Sequence, residues 1–395
     1  MLSEPGVPGP PGFIPLCVPE IRGNEWDYIK ECLDSNWVSS VGAFVDRFEG
    51  AVANYVGTEH AVATVSGTAA LHIALLVAGV QPDDEVLVPT LSFIAPANAI
   101  RYVGAWPVFI DAEPIHWQMD PVKVQGFLEN ECRSQGGNLI NRTTGRRVKA
   151  ILPVHILGHP CDMDPILEVA DRYELITIED ATESLGAQYK KRMAGKLGQI
   201  ACFSFNGNKL ITTGGGGMIV TDNQAWAERA RYLTTQAKDD PIEYFHSEIG
   251  YNYRLTNIQA AMGVAQMEQI ENFINRKKKI ASIYDEAFRG IEAITLMPTR
   301  TCTTPVHWLY TVLLDEASTL EDRKDFVRTL NEQGIGARPL WHTLHDLPPY
   351  ADSQAFQIEN GIRLYERGIS LPSSVGLSEQ DQQKCINIVL ASLRR

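Results

Sequence analysis

Residues 203–209 of the chain read FSFNGNK, and residues 212–217 read TTGGGG. A lysine just past a buried strand and ahead of several glycines can lie close to a bulky ligand, because few side chains of the loop intrude. Partial burial favours the neutral amine, which is a nucleophile toward aldehydes. The pattern is therefore compatible with a reactive role for Lys209, and the motifs described below favour that role. A surface lysine ahead of a flexible turn is the alternative interpretation.

The sequence around this lysine alternates between short apolar runs and helical patterns. Strands are predicted at residues 60–65, 85–89, 106–110, 149–154, 175–178, 200–205 and 217–221, and helices at residues 20–34, 45–56, 68–78 and 96–103. Such alternation is typical of an α/β fold, in which a mostly parallel sheet carries helices on both faces. We therefore expect the functional site beyond the carboxyl ends of the strands.

The pattern changes after residue 256. Residues 257–288 predict one long or broken helix, and a strand at 308–314 and helices at 320–333, 357–367 and 378–392 follow. A chain of 395 residues is expected to form more than one domain, because single cores stop growing beyond roughly 250–300 residues. We predict an irregular arm (1–19), a large domain (20–256), a long connecting helix (257–289) and a smaller C-terminal domain (290–395).

The charge balance excludes two classes of partner. With 48 acidic and 35 basic side chains, the formal net charge is −13. Nucleic acids and anionic membranes are bound by clustered Lys and Arg, so neither is an expected partner. The one basic run, at residues 276–279, lies on the long helical stretch and is expected to be a solvated face.

The chain also shows no sign of export. No stretch is apolar enough to span a bilayer, and the N-terminus has no signal-peptide pattern. The seven cysteines are scattered and form no CxxC pair. A cytoplasmic location with reduced thiols is therefore expected.

Two further motifs follow predicted strands. The apolar run at 175–178 ends in Glu179 and Asp180, where a carboxylate can pair with a protonated pyridine nitrogen; a helix N-cap is the alternative. Residues 66–71 (SGTAAL) join a strand to a helix. Their backbone N–H groups and the Thr68 hydroxyl can face an anion such as phosphate, although a simple helix cap has the same sequence.

Two more candidates are aromatic and cationic. Phe93 follows another strand end and could cover the face of a ligand ring, whereas a core phenylalanine is the alternative. Residues 250–255 (GYNYRL) precede the long helix and offer the amide of Asn252 and the guanidinium of Arg254 to anionic groups.

Together these motifs resemble the DegT–StrS sugar aminotransferases, which are pyridoxal-phosphate enzymes of fold type I. The resemblance extends from residues 37–40 (WVSS) and 48–49 (FE) to residues 344–345 (LH) and 349–350 (PY). It implies a large domain with a seven-stranded, mostly parallel sheet flanked by helices, and a smaller α+β C-terminal domain.

The resemblance implies a role for each matching residue. Lys209 would carry pyridoxal 5′-phosphate as a Schiff base, with pyridoxamine phosphate as the aminated form, and would move the proton during turnover. Asp180 would pair with the pyridine nitrogen. The phosphate ligands of the family match Gly67, Thr68 and Ser204.

The remaining matches concern the ring, the substrate and a second subunit. Phe93 matches the stacking aromatic, and Glu183 takes the position near the cofactor hydroxyl, where relatives often have His or Gln. Asn252 matches the residue that reaches the phosphate from the neighbouring subunit, and Arg254 a cationic, substrate-binding residue of that partner. The resemblance thus implies a homodimer with shared active sites. His345 could line the sugar pocket, with a satisfied structural histidine as the alternative.

Residues 40–42 (SVG), 179–185 (EDATESL) and 338–341 (RPLW) resemble the LegC-like branch of the family. That branch implies transfer of an amino group from glutamate to the C4 ketone of a nucleotide-linked 4-keto-6-deoxy-sugar, a UDP-N-acetylhexosamine derivative, for a cell-surface glycan. Many relatives have an acidic residue after the first glycine of the 214–217 run; the four glycines here are compatible with the branch. Dehydratases of the wider family replace the lysine by histidine, so Lys209 favours transamination.

Three other functions stay open. The chain could aminate a C3 keto-sugar, act on amino acids as a pyridoxal-phosphate desulfurase or lyase, or be a non-catalytic binding protein that has kept the fold. A reactive cysteine near the site would favour the second, and the complete set of lysine, aspartate and phosphate ligands argues against the third. No His/Cys cluster has metal-ligand spacing, so no metal is expected.

Overall fold

The computed structural model describes residues 12–240 and 242–393. The helices are α1 (Glu25–Asp34), α2 (Ala43–Val56), α3 (Gly67–Val77), α4 (Ala95–Tyr102), α5 (Pro121–Asn130), α6 (Met163–Arg172), α7 (Gln224–Thr234), α8 (Asn257–Met267), α9 (Ile270–Phe288), α10 (Leu320–Glu332), α11 (Asn360–Arg367) and α12 (Glu379–Ser392). Single 3-10 turns lie at Ile156–Gly158, Leu344–Asp346 and Pro348–Tyr350.

The strands are β1 (His60–Thr64), β2 (Glu85–Pro89), β3 (Trp106–Ile110), β4 (Cys132–Gln135), β5 (Asn138–Asn141), β6 (Val148–Ile151), β7 (Ile176–Asp180), β8 (Gln188–Tyr189), β9 (Arg192–Met193), β10 (Ile200–Ser204), β11 (Gly217–Thr221), β12 (Ile294–Leu296), β13 (Thr303–Thr304), β14 (Tyr310–Leu314), β15 (Arg338–Pro339), β16 (Ala355–Phe356) and β17 (Gly368–Leu371). The seven strands predicted before residue 222 are all present, with ends that differ by at most three residues.

The main sheet has eight strands in the order β1-β11-β10-β7-β6-β2-β3-β16. All neighbours from β10 to β16 pair in parallel, whereas β11 pairs antiparallel with both β1 and β10. The prediction of an α/β fold with a mostly parallel sheet is confirmed. Seven strands come from the segment predicted as the large domain, and the two-residue strand β16 joins from residues far along the chain.

Helix α3 carries the first loop of the site. Its sequence, GTAALHIALLV, is apolar on nearly all sides, as expected for a helix that is covered all round. Its side chains belong to the largest apolar cluster, together with strands β2, β7 and β10 and helix α4. This packing fixes the N-terminus of α3 at the carboxyl end of β1.

A second sheet lies in the C-terminal part of the chain. It has the order β12-β14-β17-β15, and its neighbours pair antiparallel. The predicted long helix is broken into α8 and α9, which are separated by residues 268–269. The segments predicted as large and small domains thus hold one principal sheet each, apart from β16, and their exact boundaries stay a prediction.

The N-terminal arm was predicted as irregular, and residues 1–11 lie outside the described part of the chain. Beyond them, the N–H of Ile14 donates to the carbonyl of Gly334 at 2.8 Å, and the N–H of Gly336 donates to Ile14 at 2.8 Å. The N–H of Ser373 donates to Leu16 at 2.8 Å. These bonds tie residues 14–16 to the second sheet. None of the described helices is both long and apolar enough to cross a lipid bilayer.

The expectation that residues 276–279 form a solvated face is wrong for Lys277. This side chain is only 1% exposed, in the same buried stripe of α9 as Phe273, Ile280 and Tyr284. Its ammonium donates to the carbonyl of Trp308 at 2.5 Å and to the carbonyl of Ser373. Burial lowers the pKa of Lys277. The lysine therefore joins α9 to the segments before β14 and after β17.

We predict that Lys277→Met destabilises the protein although it keeps an apolar stem of similar length. The carbonyls of Trp308 and Ser373 would lose their donor inside the protein, and each unsatisfied buried group costs about 1–3 kcal/mol. Urea unfolding should therefore show a lower free energy of unfolding. The matched control is Lys279→Met on the same helix, where the lysine pairs with Glu379 at the exposed surface at 2.6 Å. Equal stability of the two variants would contradict the prediction.

Candidate active site

A cavity of about 390 Å³ opens at the carboxyl ends of β1, β7 and β10. Its lining comes from the loops after these strands, from the loop after β2 and from the second sheet: Leu16, Ser66, Gly67, Thr68, Leu71, Phe93, Ala95, Thr182, Glu183, Ser204, Asn206, Asn208, Lys209, Gly215, Gly216, Trp308, Leu309, Arg338, Pro339, Leu340, Trp341 and Ser370. The position matches the expectation for a mostly parallel sheet.

Lys209 reaches into this cavity. Its side chain is 13% exposed, and its Nζ lies 3.4 Å from Glu183 Oε1 and 3.9 Å from the ring centroid of Trp308. The indole Nε1 of Trp308 donates to the carbonyl of Asn208 at 2.7 Å, and the Cys17 thiol donates to the same carbonyl at 3.2 Å. The backbone before the lysine is thus anchored. This geometry supports the reactive lysine over the surface lysine.

Glu183 is a buried carboxyl beside that amine. Its Oε2 accepts the N–H of Leu157 at 2.8 Å, and its side chain is 4% exposed. Burial raises the pKa of Glu183, while Lys209 and the Leu157 N–H oppose this rise. Leu157 has a φ of 60°, a left-handed conformation that few residues other than glycine adopt. The strained turn holds its N–H toward Glu183, so this carboxyl has one oxygen fixed and one facing Lys209.

Asp180 ends strand β7 and is 2% exposed. Its Oδ1 accepts the N–H of Thr182 at 3.1 Å. Burial raises the pKa of Asp180, and Lys209 and His155 are among the groups that lower it. A cationic N–H that approached this carboxyl would offset its desolvation. Asp180 itself is not one of the lining residues, but Thr182 and Glu183, which follow it, are.

The N-terminus of α3 forms an anion cup with Ser204. Ser66 caps the helix by accepting the Ala69 N–H at 3.1 Å, and Gly67 and Thr68 open the first turn. Backbone N–H groups in a first turn have no partner within the helix and attract anions. A Cβ on Gly67 would lie 2.8 Å from the Ser204 Cβ, so only glycine leaves this space open.

Strand β11 passes directly behind the cup. A Cβ on Gly217 would lie 2.4 Å from the carbonyl oxygen of Ser66 and 2.7 Å from the nitrogen of Gly67. The last glycine of the 214–217 run is therefore required by close packing against the loop that begins α3. This is the structural reason for glycine after the lysine.

Aromatic side chains form two other walls. Phe93 lines the cavity and is 55% exposed, which is unusual for a large apolar ring and leaves its face free for a ligand. Trp308 and Trp341 lie parallel, with ring centroids 6.5 Å apart. Sequence reasoning named Phe93 and noted Trp341 within the 338–341 motif, but it missed Trp308. No local motif marks Trp308, because it arrives from the C-terminal part of the chain.

Besides Asp180, three predicted site residues lie outside the lining of their own chain's cavity, as far as the described residues show. Asn252 is exposed. The guanidinium of Arg254 pairs with Glu49 at 2.9 Å. His345 Nδ1 lies 2.7 Å from the Thr90 hydroxyl, and this contact favours the structural alternative for that histidine. Roles for Asn252 and Arg254 at a partner's site stay a prediction.

The residues of the cavity fit pyridoxal phosphate, the cofactor that the resemblance implies. Lys209 supplies an amine for an aldehyde, and Asp180 a buried carboxyl for a pyridine nitrogen. The space above Gly67, which a Cβ would fill, lies between helix N–H groups and Ser204 and suits a phosphate. Phe93 offers an exposed ring face. The donor set thus matches the aldehyde, the pyridine nitrogen and the phosphate of the cofactor.

Comparisons with known proteins agree with this fit. The DegT/DnrJ/EryC1/StrS aminotransferase family matches residues 19–390. The chain is 40% identical to GDP-perosamine synthase of Caulobacter vibrioides, over 94% of this chain and 96% of that protein. It is 39% identical to the putative pyridoxal phosphate-dependent aminotransferase EpsN of Bacillus subtilis, over 95% and 94% of the two chains.

A solved structure shows the same architecture. DesV of S. venezuelae, solved in complex with a ketimine intermediate, superposes with a TM-score of 0.84 at 30% identity and covers 94% of this chain and 95% of its own. The fold-type I architecture is therefore confirmed. The chain belongs to the DegT/DnrJ/EryC1/StrS aminotransferase family and is a pyridoxal-phosphate-dependent aminotransferase of nucleotide sugars.

Proposed function

We propose that the chain transfers an amino group from glutamate to the C4 ketone of a nucleotide-linked 4-keto-6-deoxy-sugar. The observation that carries the proposal is the position of Lys209 Nζ, 3.4 Å from a buried carboxyl and in one cavity with the anion cup. When bound, pyridoxal phosphate supplies an aldehyde and a ring that accepts electron density from the α-carbon of the amino donor.

The proton steps fall to Lys209 and Glu183. Nζ of Lys209, when free as an amine, would take the proton from the α-carbon of the donor and deliver it to the aldehyde carbon of the bound cofactor. Burial raises the pKa of Glu183, so its Oε1 is able to hold a proton beside that amine. Trp308 covers the amine at 3.9 Å and excludes water from it.

Binding and polarisation fall to other residues. Asp180 keeps a proton on the ring nitrogen, because a carboxylate in a buried position stabilises a cationic N–H strongly. The first-turn N–H groups of α3 and the hydroxyls of Thr68 and Ser204 hold the phosphate. Phe93 packs on the ring through its exposed face.

We further propose a homodimer with shared active sites. Asn252 is exposed and does not reach the cavity of its own chain in the described structure. Nearby, the apolar side chains of Ile242, Phe245 and Ile249 are 83%, 61% and 84% exposed. Exposed apolar groups of this density mark protein contacts. A second copy that covers them would bring Asn252 to the neighbouring cavity.

Two nucleotides are candidates for the sugar substrate. Resemblance to the LegC-like branch favours a UDP-linked N-acetylhexosamine derivative. The relatives from Caulobacter vibrioides, Escherichia coli O157:H7 and Vibrio cholerae are named GDP-perosamine synthases, at 40%, 38% and 34% identity, which favours a GDP-linked sugar. We expect the reaction in the cytoplasm, because the seven cysteines are free thiols and thiols persist in reducing compartments.

Borohydride reduction should fix the cofactor to Lys209. The expected product is a phosphopyridoxyl group on the peptide that contains residues 203–209, identified by mass spectrometry. Lys209→Ala should abolish turnover and lose this label. Labelling of another lysine in the wild-type protein would overturn the assignment.

Mixing two inactive variants should restore activity if the sites are shared. A hybrid of Lys209→Ala with Asn252→Ala has one site with both lesions and one with neither. Random exchange in a C2 dimer should therefore recover about a quarter of wild-type activity. Lys209→Ala mixed with Asp180→Ala is the control, because each hybrid site then keeps one lesion. An active monomer in sizing experiments would refute the shared site.

The substrate is tested by a panel of keto-sugar nucleotides with glutamate as donor. We expect amination of a UDP- or GDP-linked 4-keto-6-deoxy-sugar, detected by mass spectrometry, and little reaction with free 2-keto acids. Preference for a 3-keto sugar would move the activity to C3. Efficient exchange between ordinary amino acids, without any sugar nucleotide accepted, would refute the sugar substrate and leave the cofactor chemistry in place.

A further inference from the structure

The lining of the cavity carries more cationic side chains than carboxyl groups. Among its described lining residues, the only cationic side chains are Lys209 and Arg338, and the only carboxyl is that of Glu183. Lys209 already lies beside Glu183. Arg338 is exposed and belongs to β15, on the side of the cavity that the second sheet supplies. The two cations therefore approach the same space from different sheets.

Arg338 differs from Arg254 and Arg300 in its charge partners. Arg254 pairs with Glu49 at 2.9 Å, and Arg300 pairs with Asp162 at 3.1 Å. The ion pairs within the described residues do not include the guanidinium of Arg338. The net charge of the chain is −13, so an anion entering the cavity finds no general positive field and depends on such local groups.

The backbone of Arg338 is held in place. Arg338 pairs with Ser370 of β17, and the N–H of Leu340 donates to Gly368 at 3.0 Å. Ser370 also lines the cavity, and its hydroxyl contacts that of Thr311 at 2.8 Å. A guanidinium on such a fixed strand can be aimed with little entropic cost. Arg338 thus combines a fixed backbone position with a guanidinium that makes no ion pair within the described residues.

The amino donor supplies the anion that this guanidinium fits. In the proposed function the anion cup at the N-terminus of α3 holds the cofactor phosphate. An α-amino acid must bring its nitrogen to the place of Lys209 Nζ, and its α-carboxylate is attached to the same carbon as that nitrogen. The carboxylate must therefore lie inside the cavity. The diphosphate of a sugar nucleotide is separated from the reacting C4 by the width of the sugar ring and lies further away.

We propose that Arg338 binds the α-carboxylate of the amino donor through its guanidinium, so that it selects α-amino acids for the first half of the reaction. This rests on the proposed function, in which glutamate is the donor. A planar guanidinium can hold a carboxylate with two parallel hydrogen bonds, which an ammonium cannot do. Arg338 thereby becomes a specificity residue for the donor and not for the sugar.

The test compares the two half-reactions in the cofactor-loaded enzyme. Glutamate converts the yellow protein to its colourless form, and the keto-sugar nucleotide reverses the change, so each can be titrated alone. In Arg338→Gln the glutamate concentration for half-maximal rate should rise about 10- to 100-fold, since hydrogen bonds to charged groups are the strong ones. Arg338→Lys should fall between Arg338→Gln and wild type, because it keeps the charge but loses the fork. Arg328→Gln, an exposed arginine of α10 paired with Asp325, is the control and should match wild type.

Binding without turnover gives the second readout. Glutarate carries two carboxylates but no amine, so calorimetry with glutarate measures the carboxylate contact alone, and UDP or GDP measures the nucleotide contact. Loss of glutarate binding in Arg338→Gln with unchanged nucleotide binding supports the proposal. Unchanged glutamate dependence, or loss of nucleotide binding with glutarate binding retained, overturns it. So does a wild-type protein that does not change colour with glutamate.

The two proposals can fail separately. If wild-type protein aminates a keto-sugar but Arg338→Gln has the same glutamate dependence, the carboxylate site is wrong and the function stands. If no keto-sugar is aminated but Arg338→Gln still loses the response to glutamate, the sugar substrate is wrong and the carboxylate site stands.

Discussion

The site depends on the burial of one amine. Lys209 Nζ lies between the carboxyl of Glu183 and the ring of Trp308, in a cavity with few other charges. The side chain of Lys209 is only 13% exposed, so its amine contacts these two partners in place of most of the surrounding water. The loop after β10, the turn that holds Glu183 and the segment that carries Trp308 must all be in place before the amine is covered. Segments of both sheets therefore act on the same group, the amine of Lys209.

The main sheet and its half of the site could be predicted from sequence because their signals are local. Strands β1, β2 and β10 are largely apolar runs of five residues, and the residues that follow such strands lie at the carboxyl edge of the sheet. The loop after β1, the residues after β7 and Lys209 after β10 all reach the cavity in this way. The sequence suggested glycines after Lys209 as room for a bulky ligand, but it did not predict that Gly217 of β11 packs against the loop that begins α3.

The second half of the site has no such local signal. Strands β15 and β16 are two residues long, and β17 is formed by four residues without a distinctive flank. Arg338 enters the cavity because β15 pairs with β17, and Trp308 enters it from the segment just before β14, far along the chain from the main sheet. Lys277 shows a second limit of prediction from sequence. A lysine within a basic run is predicted to be solvent-exposed, whereas this lysine is buried. Lys277 follows Phe273 by four residues and precedes Ile280 by three, which is the spacing of one helix face. This helical spacing could have shown from the sequence that Lys277 lies on the apolar face of α9.

The two sheets supply different parts of the site, and this arrangement bears on which substrates the enzyme accepts. The main sheet supplies the amine, the buried carboxyls and the anion cup, all of which suit a cofactor that is the same in every cycle. The second sheet and the segments beside it supply Trp308, which covers Lys209, and also Trp341 and Arg338, which face the space left over. Side chains on short surface strands can change without disturbing the closely packed glycines behind the cup, where a Cβ on Gly217 would collide with backbone. Substrate preference can therefore vary on one side of the cavity while the chemistry of Lys209 stays fixed on the other.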